Sequence, residues 1–251
     1  MKSFCFFNMK GGSGKTTLLI LLASYLRYYL GLRVKVMDVQ CDNYPVAFFR
    51  ALDLKNAGEE GSFLSNYLKR RREQEYFPIE TLGRPVNKYT ADDIRRFAWK
   101  VNEEIKQGKY DYLLLDFPAG YSDFTPISCL VANHMLDGIY IPLSTDAQEY
   151  ADAFQLARNF EALGQSYRLL WYRLQKDYLK GKAGSLDETE QKLRDIGIEF
   201  SKERIRSFNK ATESSDVKCF VRNTVCWPDR YVKMVCPELI DLFEEIISFL
   251  G

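Results

Sequence analysis

Met9-Lys10-Gly11-Gly12-Ser13-Gly14-Lys15-Thr16-Thr17 decides how this chain is read. It follows an apolar run, Ser3-Phe4-Cys5-Phe6-Phe7, that reads as a buried strand, and it opens a helix from Lys15 to about Tyr29 that Gly31 stops. A glycine-rich turn between strand and helix aims several backbone N–H groups at one point, and the helix N-terminus adds positive partial charge there. Such a turn binds phosphate. Side chains would block the approach, which is why Gly11, Gly12 and Gly14 are needed around Ser13. Lys15 is expected to neutralise β- and γ-phosphates, and the Thr16 hydroxyl, beside Thr17, to coordinate Mg²⁺.

Outward from the loop, short apolar runs alternate with longer amphipathic ones, the signature of a parallel sheet wrapped by helices. Arg33–Asp38 is a second strand, ending in an acid. Pro45 to Arg72 holds two helices broken near Gly58-Glu59-Glu60-Gly61, and Tyr76–Leu82 a short strand. A helix over Ala91–Gln107 leads to the clearest buried strand, Tyr110–Asp116, which again ends in a carboxylate. Strands follow at Gly138–Leu143 and Arg168–Tyr172, with a helix over Ala147–Leu163 between them. The stretch from Lys176 to Lys210 is polar and charged, with a helix at Leu186–Arg194; a last strand near Val217–Val221 and a helix over Pro237–Leu250 close the chain. The expected fold is α/β: one P-loop NTPase domain over residues 1–251, with a mostly parallel twisted sheet and helices on both faces.

Composition narrows the partners. With 46% hydrophobic and 27% charged residues, a largely disordered chain is excluded. The net charge of +1 gives no global field to recruit nucleic acid or an anionic membrane, so any such partner needs a local patch. The six cysteines are scattered without a CxxC pair and read as reduced thiols, and the single histidine, His134, removes most zinc-site and His-based triad readings. No signal-peptide pattern opens the chain and no uncharged run approaches the ~20 residues of a membrane helix, so a cytoplasmic protein is expected.

The general pattern G-x-x-x-x-G-K-[ST] fails at its first glycine, where Met9 stands. What fits is the deviant form K-G-G-x-G-K-[ST]-[ST], and in this the chain resembles the ParA/MinD family of deviant Walker A P-loop ATPases. The resemblance implies ATP and Mg²⁺ as cofactors. It also implies an ATP-dependent homodimer in which Lys10 reaches the partner's phosphates. It extends to the second strand, where the family shows hydrophobic residues followed by D-x-D. Here the run is Val36-Met37-Asp38-Val39-Gln40-Cys41-Asp42-Asn43. Asp38 matches the first acid and is expected to hold Mg²⁺ through water, while Gln40 replaces the second, which positions or activates the attacking water. An amide orients water but accepts protons poorly, so slow hydrolysis is expected. Asp42 either substitutes for the missing acid or, with Asn43, forms a turn and cap before Pro45.

Asp116-Phe117-Pro118-Ala119-Gly120 matches the family's Walker B equivalent. Asp116 is expected in the Mg²⁺ water shell, and Gly120 to let its loop move with the γ-phosphate. The places where the family contacts the base hold Trp171-Tyr172-Arg173 and Trp227-Pro228-Asp229-Arg230, neither a sharp motif. Lys10, Lys15, Asp38, Gln40 and Asp42 thus form the expected catalytic set, and Thr16, Asp38 and Asp116 the expected metal set.

Partners follow from the surfaces. The closing helix puts Leu239, Leu242, Phe243, Ile246 and Leu250 on one face and acids on the other, so it is expected to pack on the core and to avoid membranes. Nonspecific DNA binding would fall to Lys69-Arg70-Arg71-Arg72 or, better placed by the resemblance, to Lys202, Arg204, Arg206, Lys210, Lys218 and Arg222. The leading reading is an ATP-switched dimer in DNA partition of a plasmid or mobile element, nucleoid-associated when bound, with a ParB-like activator. The alternative is a weakly hydrolysing nucleotide-dependent scaffold that localises a secretion or conjugation machine. The third is an ATP-using ligase of the dethiobiotin-synthetase type, against which Lys10 argues.

Overall fold

Strand residues alternate between two apolar layers, as a period of two requires. In β1 (Lys2–Phe6), Phe4 and Phe6 face one layer, whereas Cys5 and the following Phe7 face the other. The computed structural model describes residues 1–39, 45–60, 63–68, 75–81, 89–121, 125–174, 183–207 and 223–251. Six further strands are β2 (Val34–Asp38), β3 (Ile79–Thr81), β4 (Tyr112–Asp116), β5 (Gly138–Leu143), β6 (Tyr167–Leu174) and β7 (Phe200–Arg206). They join in the order β3-β2-β4-β1-β5-β6-β7, and every pairing is parallel.

Helices cover both faces. The layer of Phe4 and Phe6 is closed by α1 (Lys15–Ser24), α2 (Pro45–Gly58), α8 (Asp229–Val235) and α9 (Glu238–Leu250). The other layer is closed by α4 (Ala91–Gln107), α5 (Pro126–Ala132), α6 (Ala147–Ala162) and α7 (Ala183–Arg194), while the short α3 (Phe63–Leu68) follows α2. Local chemistry sets the ends. A reciprocal Thr90–Asp93 capping box starts α4, and Gly108 with φ 60 stops it. In α9 the five predicted apolar positions are the buried ones. Fully burying a side chain of that size stabilises by about 1.5–3 kcal/mol, enough to fasten the helix to the sheet. Its Glu245 is anchored as well, accepting from Tyr140 Oη, Arg168 and Ser201 Oγ at 2.7–2.9 Å.

The structure departs from the sequence reading in three places. The first α-helix ends at Ser24 and continues as a turn of π-helix, Tyr25–Tyr29, before Gly31 reverses the chain with φ 73. The edge strand β7 lies within the stretch read as merely polar, whereas the strand expected near Val217–Val221 lies outside the described residues. Helices α5 and α8, each of seven residues, had no counterpart in the sequence reading.

Candidate functional site

β1 is the central strand, flanked by β4 and β5, and the chain leaves it on opposite sides to continue the sheet. Such a switch point opens a crevice at the carboxyl ends of the strands. The loop from Phe7 to Gly14 fills that position. Asn8, wholly buried, pins its start: Nδ2 donates to the Pro142 carbonyl at 2.5 Å, and Oδ1 accepts the Lys10 N–H at 3.0 Å. The sequence reading passed over Asn8, although a lone amide ending an apolar run was the available signal. Gly12 and Gly14 have φ 73 and 88, the left-handed region that strains residues with a Cβ. At Gly14 a Cβ would also lie 2.3 Å from Tyr172 Cε1, so glycine is required twice over. Gly11 has open space around it.

The side chains named from the sequence converge here. Lys15 is buried, with Nζ donating to the Lys10 carbonyl at 3.0 Å and to Ser13 Oγ at 3.4 Å. Burial pushes its ammonium below the ordinary lysine value, while the Asp116 and Glu149 carboxylates pull it back up. Thr16 Oγ1 lies 2.9 and 3.1 Å from the two carboxylate oxygens of Asp116. Thr17 is half-buried one residue further along α1. Asp38 is the register partner of Asp116 on the adjacent strand, and both are buried. Its Oδ2 accepts the N–H groups of Val46 and Ala47 at 2.8 and 3.2 Å, capping α2. Lys10 Nζ reaches Asp146 Oδ1 at 3.4 Å and Glu149 Oε2 at 3.8 Å across the mouth of the loop.

Other expectations divide. Gln40 and Asp42 lie outside the described residues. Arg173 comes to the loop, its Nη1 donating to the Gly12 carbonyl at 2.5 Å. Trp227, in the second of the two stretches considered for the base, belongs to the core: it is 1% exposed, with its ring 5.2 Å from Tyr25 and 6.1 Å from Phe243. Of the basic groups, Lys69–Arg72, Lys210, Lys218 and Arg222 lie outside the described residues. Arg204 pairs with Asp187 and Glu190, and Arg206 with Glu238, while Lys202 is exposed. Among the described residues no helix is long and apolar enough to cross a membrane.

Comparison with known proteins agrees with this architecture. MinD of Aquifex aeolicus superposes with a TM-score of 0.65 at 18% identity, covering 99% of this chain and 98% of that one. The septum site-determining protein MinD of Pyrococcus horikoshii, complexed with Mg-ADP, gives 0.60 at 16%, covering 100% and 97%. A plasmid partition protein from Borrelia burgdorferi gives 0.57 at 14%, covering 98% of both chains. At these identities the likeness is one of fold. No curated protein matches the sequence. Residues 4–210 match the family described as the CobQ/CobB/MinD/ParA nucleotide binding domain. With the glycine-rich loop on the central strand and the match spanning most of the sequence, the chain belongs to the CobQ/CobB/MinD/ParA nucleotide-binding family.

Proposed function

We propose that the chain is an ATP-dependent switch that binds Mg·ATP on the Lys10–Thr17 loop, dimerises in that state and hydrolyses ATP slowly to reset. The observation that carries this is Thr16 facing Asp116 beside the buried Lys15. A hydroxyl and two strand-end carboxylates form an oxygen donor set that suits a hydrated Mg²⁺ ion, and a buried lysine supplies charge for phosphate. When bound, Mg²⁺ would supply charge neutralisation for the β- and γ-phosphate oxygens. Loop N–H groups and Lys15 would bind and orient the phosphates. Thr16 and Asp116 would hold the metal shell, and Asp38 would join it by loosening its hold on α2. Gln40 would orient the attacking water without taking its proton, leaving Asp42 as the nearby base. Lys10 would exchange Asp146 and Glu149 for the partner's phosphates.

Within this reading the switch serves DNA partition of a plasmid or mobile element, in keeping with the likeness to the plasmid partition protein of Borrelia burgdorferi. Nonspecific DNA would bind in the ATP state, and a ParB-like activator would stimulate turnover. One observation favours the scaffold alternative: Arg204 and Arg206 are committed to ion pairs within the chain. DNA contact would then rest on Lys202 and the basic residues outside the described segments. The deciding experiment measures DNA binding with ADP, ATP and a nonhydrolysable analogue across a salt series, with sedimentation alongside. ATP-dependent dimers whose DNA affinity falls steeply with salt are expected. Dimers indifferent to DNA at low salt would select the scaffold, and a chain that stays monomeric with ATP would overturn the switch.

A further inference from the structure

Strand β6 enters the site with an irregularity. Between Tyr172 and Leu174 its register against β7 slips, two steps of β6 matching one of β7, which makes Arg173 the extra residue of a bulge. Arg173 has φ 62, the left-handed region that strains a residue with a Cβ. Among the described residues the other non-glycine with positive φ is His134, in the turn after α5. In a regular strand, consecutive side chains point to opposite faces. Here two consecutive side chains serve one loop. The Tyr172 ring lies against Gly14, the Arg173 guanidinium bonds the Gly12 carbonyl, and that guanidinium is 5.7 Å from the Tyr172 ring centre.

The contact has a consequence for the loop. A peptide unit is planar and trans, so its carbonyl and N–H point in opposite directions. Holding the Gly12 carbonyl toward Arg173 therefore fixes the Ser13 N–H away from it. Lys15 does the same for the preceding part of the loop by holding the Lys10 carbonyl. Two cations thus turn two loop carbonyls aside, and a phosphate loop works only when its N–H groups converge free of competing carbonyls.

We propose that Arg173 is a positioning residue of the nucleotide site, held in a strained bulge of β6 so that its guanidinium keeps the Gly12–Ser13 peptide oriented for the β-phosphate of ADP and ATP alike. The proposal rests on the loop being the nucleotide site. Because the β-phosphate is common to both nucleotides, the effect of losing Arg173 is equal for both and appears as faster release.

The test is stopped-flow binding of fluorescent ADP and ATP analogues, with Mg²⁺, to the full chain and to Lys15→Ala, Arg173→Ala, Arg173→Gly and Arg173→Lys. Arg173→Ala and Arg173→Gly are expected to weaken both nucleotides by the same factor, about threefold to tenfold, through the dissociation rate. Arg173→Lys recovers part of the loss. Arg173→Gly, freed of the backbone strain, melts above Arg173→Ala yet binds no better, which separates positioning from fold stability. Parent-like binding by Arg173→Gly overturns the proposal, and so does a loss confined to the ATP analogue, which would put the guanidinium on the γ-phosphate. Equal binding by the parent and Lys15→Ala overturns the loop reading itself, and the proposal with it.

Discussion

Asp38 and Asp116 end neighbouring strands at the same level and are direct register partners, yet their surroundings differ. The β4 corner turns its carboxylate to a side chain, Thr16 at the start of α1. The β2 corner turns its carboxylate to backbone, the first N–H groups of α2. The first arrangement joins two groups that both suit a metal shell. The second satisfies helix-end donors that would otherwise lie unpaired in a buried place. A strand-end acid in a P-loop fold is therefore ambiguous by itself, and its neighbours decide what it does.

The sharpest way to break this contrast is to neutralise each acid in turn. Asp116→Asn is expected to lower Mg·ADP affinity about tenfold to hundredfold, the range for losing a charge-assisted contact. Chelating Mg²⁺ should then cost little more. Asp38→Asn should cost less, within about threefold, since Asp38 joins the metal shell only by giving up part of its hold on α2 and an amide oxygen can still cap that helix. Calorimetric titration with Mg²⁺ and with chelator reads both, and equal losses would show that the two corners do the same work.

Stability reverses the order. Asp38→Ala removes the cap of α2 and is expected to destabilise by about 1–2 kcal/mol, whereas Asp38→Asn should lose less than half of that. Urea midpoints at unchanged slope would report it. A midpoint unmoved by Asp38→Ala would mean that α2 is held from its other side. That side is substantial: Asp53 Oδ2 accepts the Thr224 N–H at 2.8 Å and its hydroxyl at 2.6 Å, and Arg50 bonds the Thr224 and Phe77 carbonyls.

The same two corners mark how far the sequence could be read. Strand β1 and the convergence of the glycine turn, Lys15, Thr16, Asp38 and Asp116 on one corner were legible because a buried strand, a glycine turn and strand-end acids each leave a local pattern. The bounds of α4 and β5 were legible from an amphipathic period and from an apolar run. That Asp38 caps α2 was hidden, since a cap formed eight residues away leaves no local pattern. Strand β7 was hidden for a different reason. Phe200-Ser201-Lys202-Glu203-Arg204-Ile205-Arg206 lies at the sheet edge, so its charged residues can pair outward with Asp187, Glu190 and Glu238, and the run lacks an apolar signature. Arg173 was noticed as a residue near the site, but a left-handed bulge has no signature in the sequence. That Trp227 is a core residue was not legible, because an aromatic beside a proline looks alike in a core and in a base pocket.

Lys10 offers the smallest effect on the single chain and the finest test of what the mouth of the loop is for. Its ion pair with Asp146 is open to water on both sides, and exposed pairs contribute little. Lys10→Gln should therefore shift the melting temperature by about 1 °C or less and leave Mg·ADP binding unchanged. The Asp146 carboxyl should also remain below the ordinary aspartate range. The backbone N–H of Glu149, which Asp146 caps at the start of α6, is the larger cause of that depression, and Lys10 a lesser one. Titration of Asp146 by NMR would show a small upward move; a return to the ordinary value would mean that Lys10 holds the corner together. With the fold and the ADP site intact, sedimentation with ATP then isolates the remaining role. If Lys10 serves the partner's phosphates, Lys10→Gln stays monomeric where the parent dimerises. Dimers that form equally well in the variant would confine Lys10 to its own chain's acids, and the ATP-dependent contact would have to come from elsewhere on the surface.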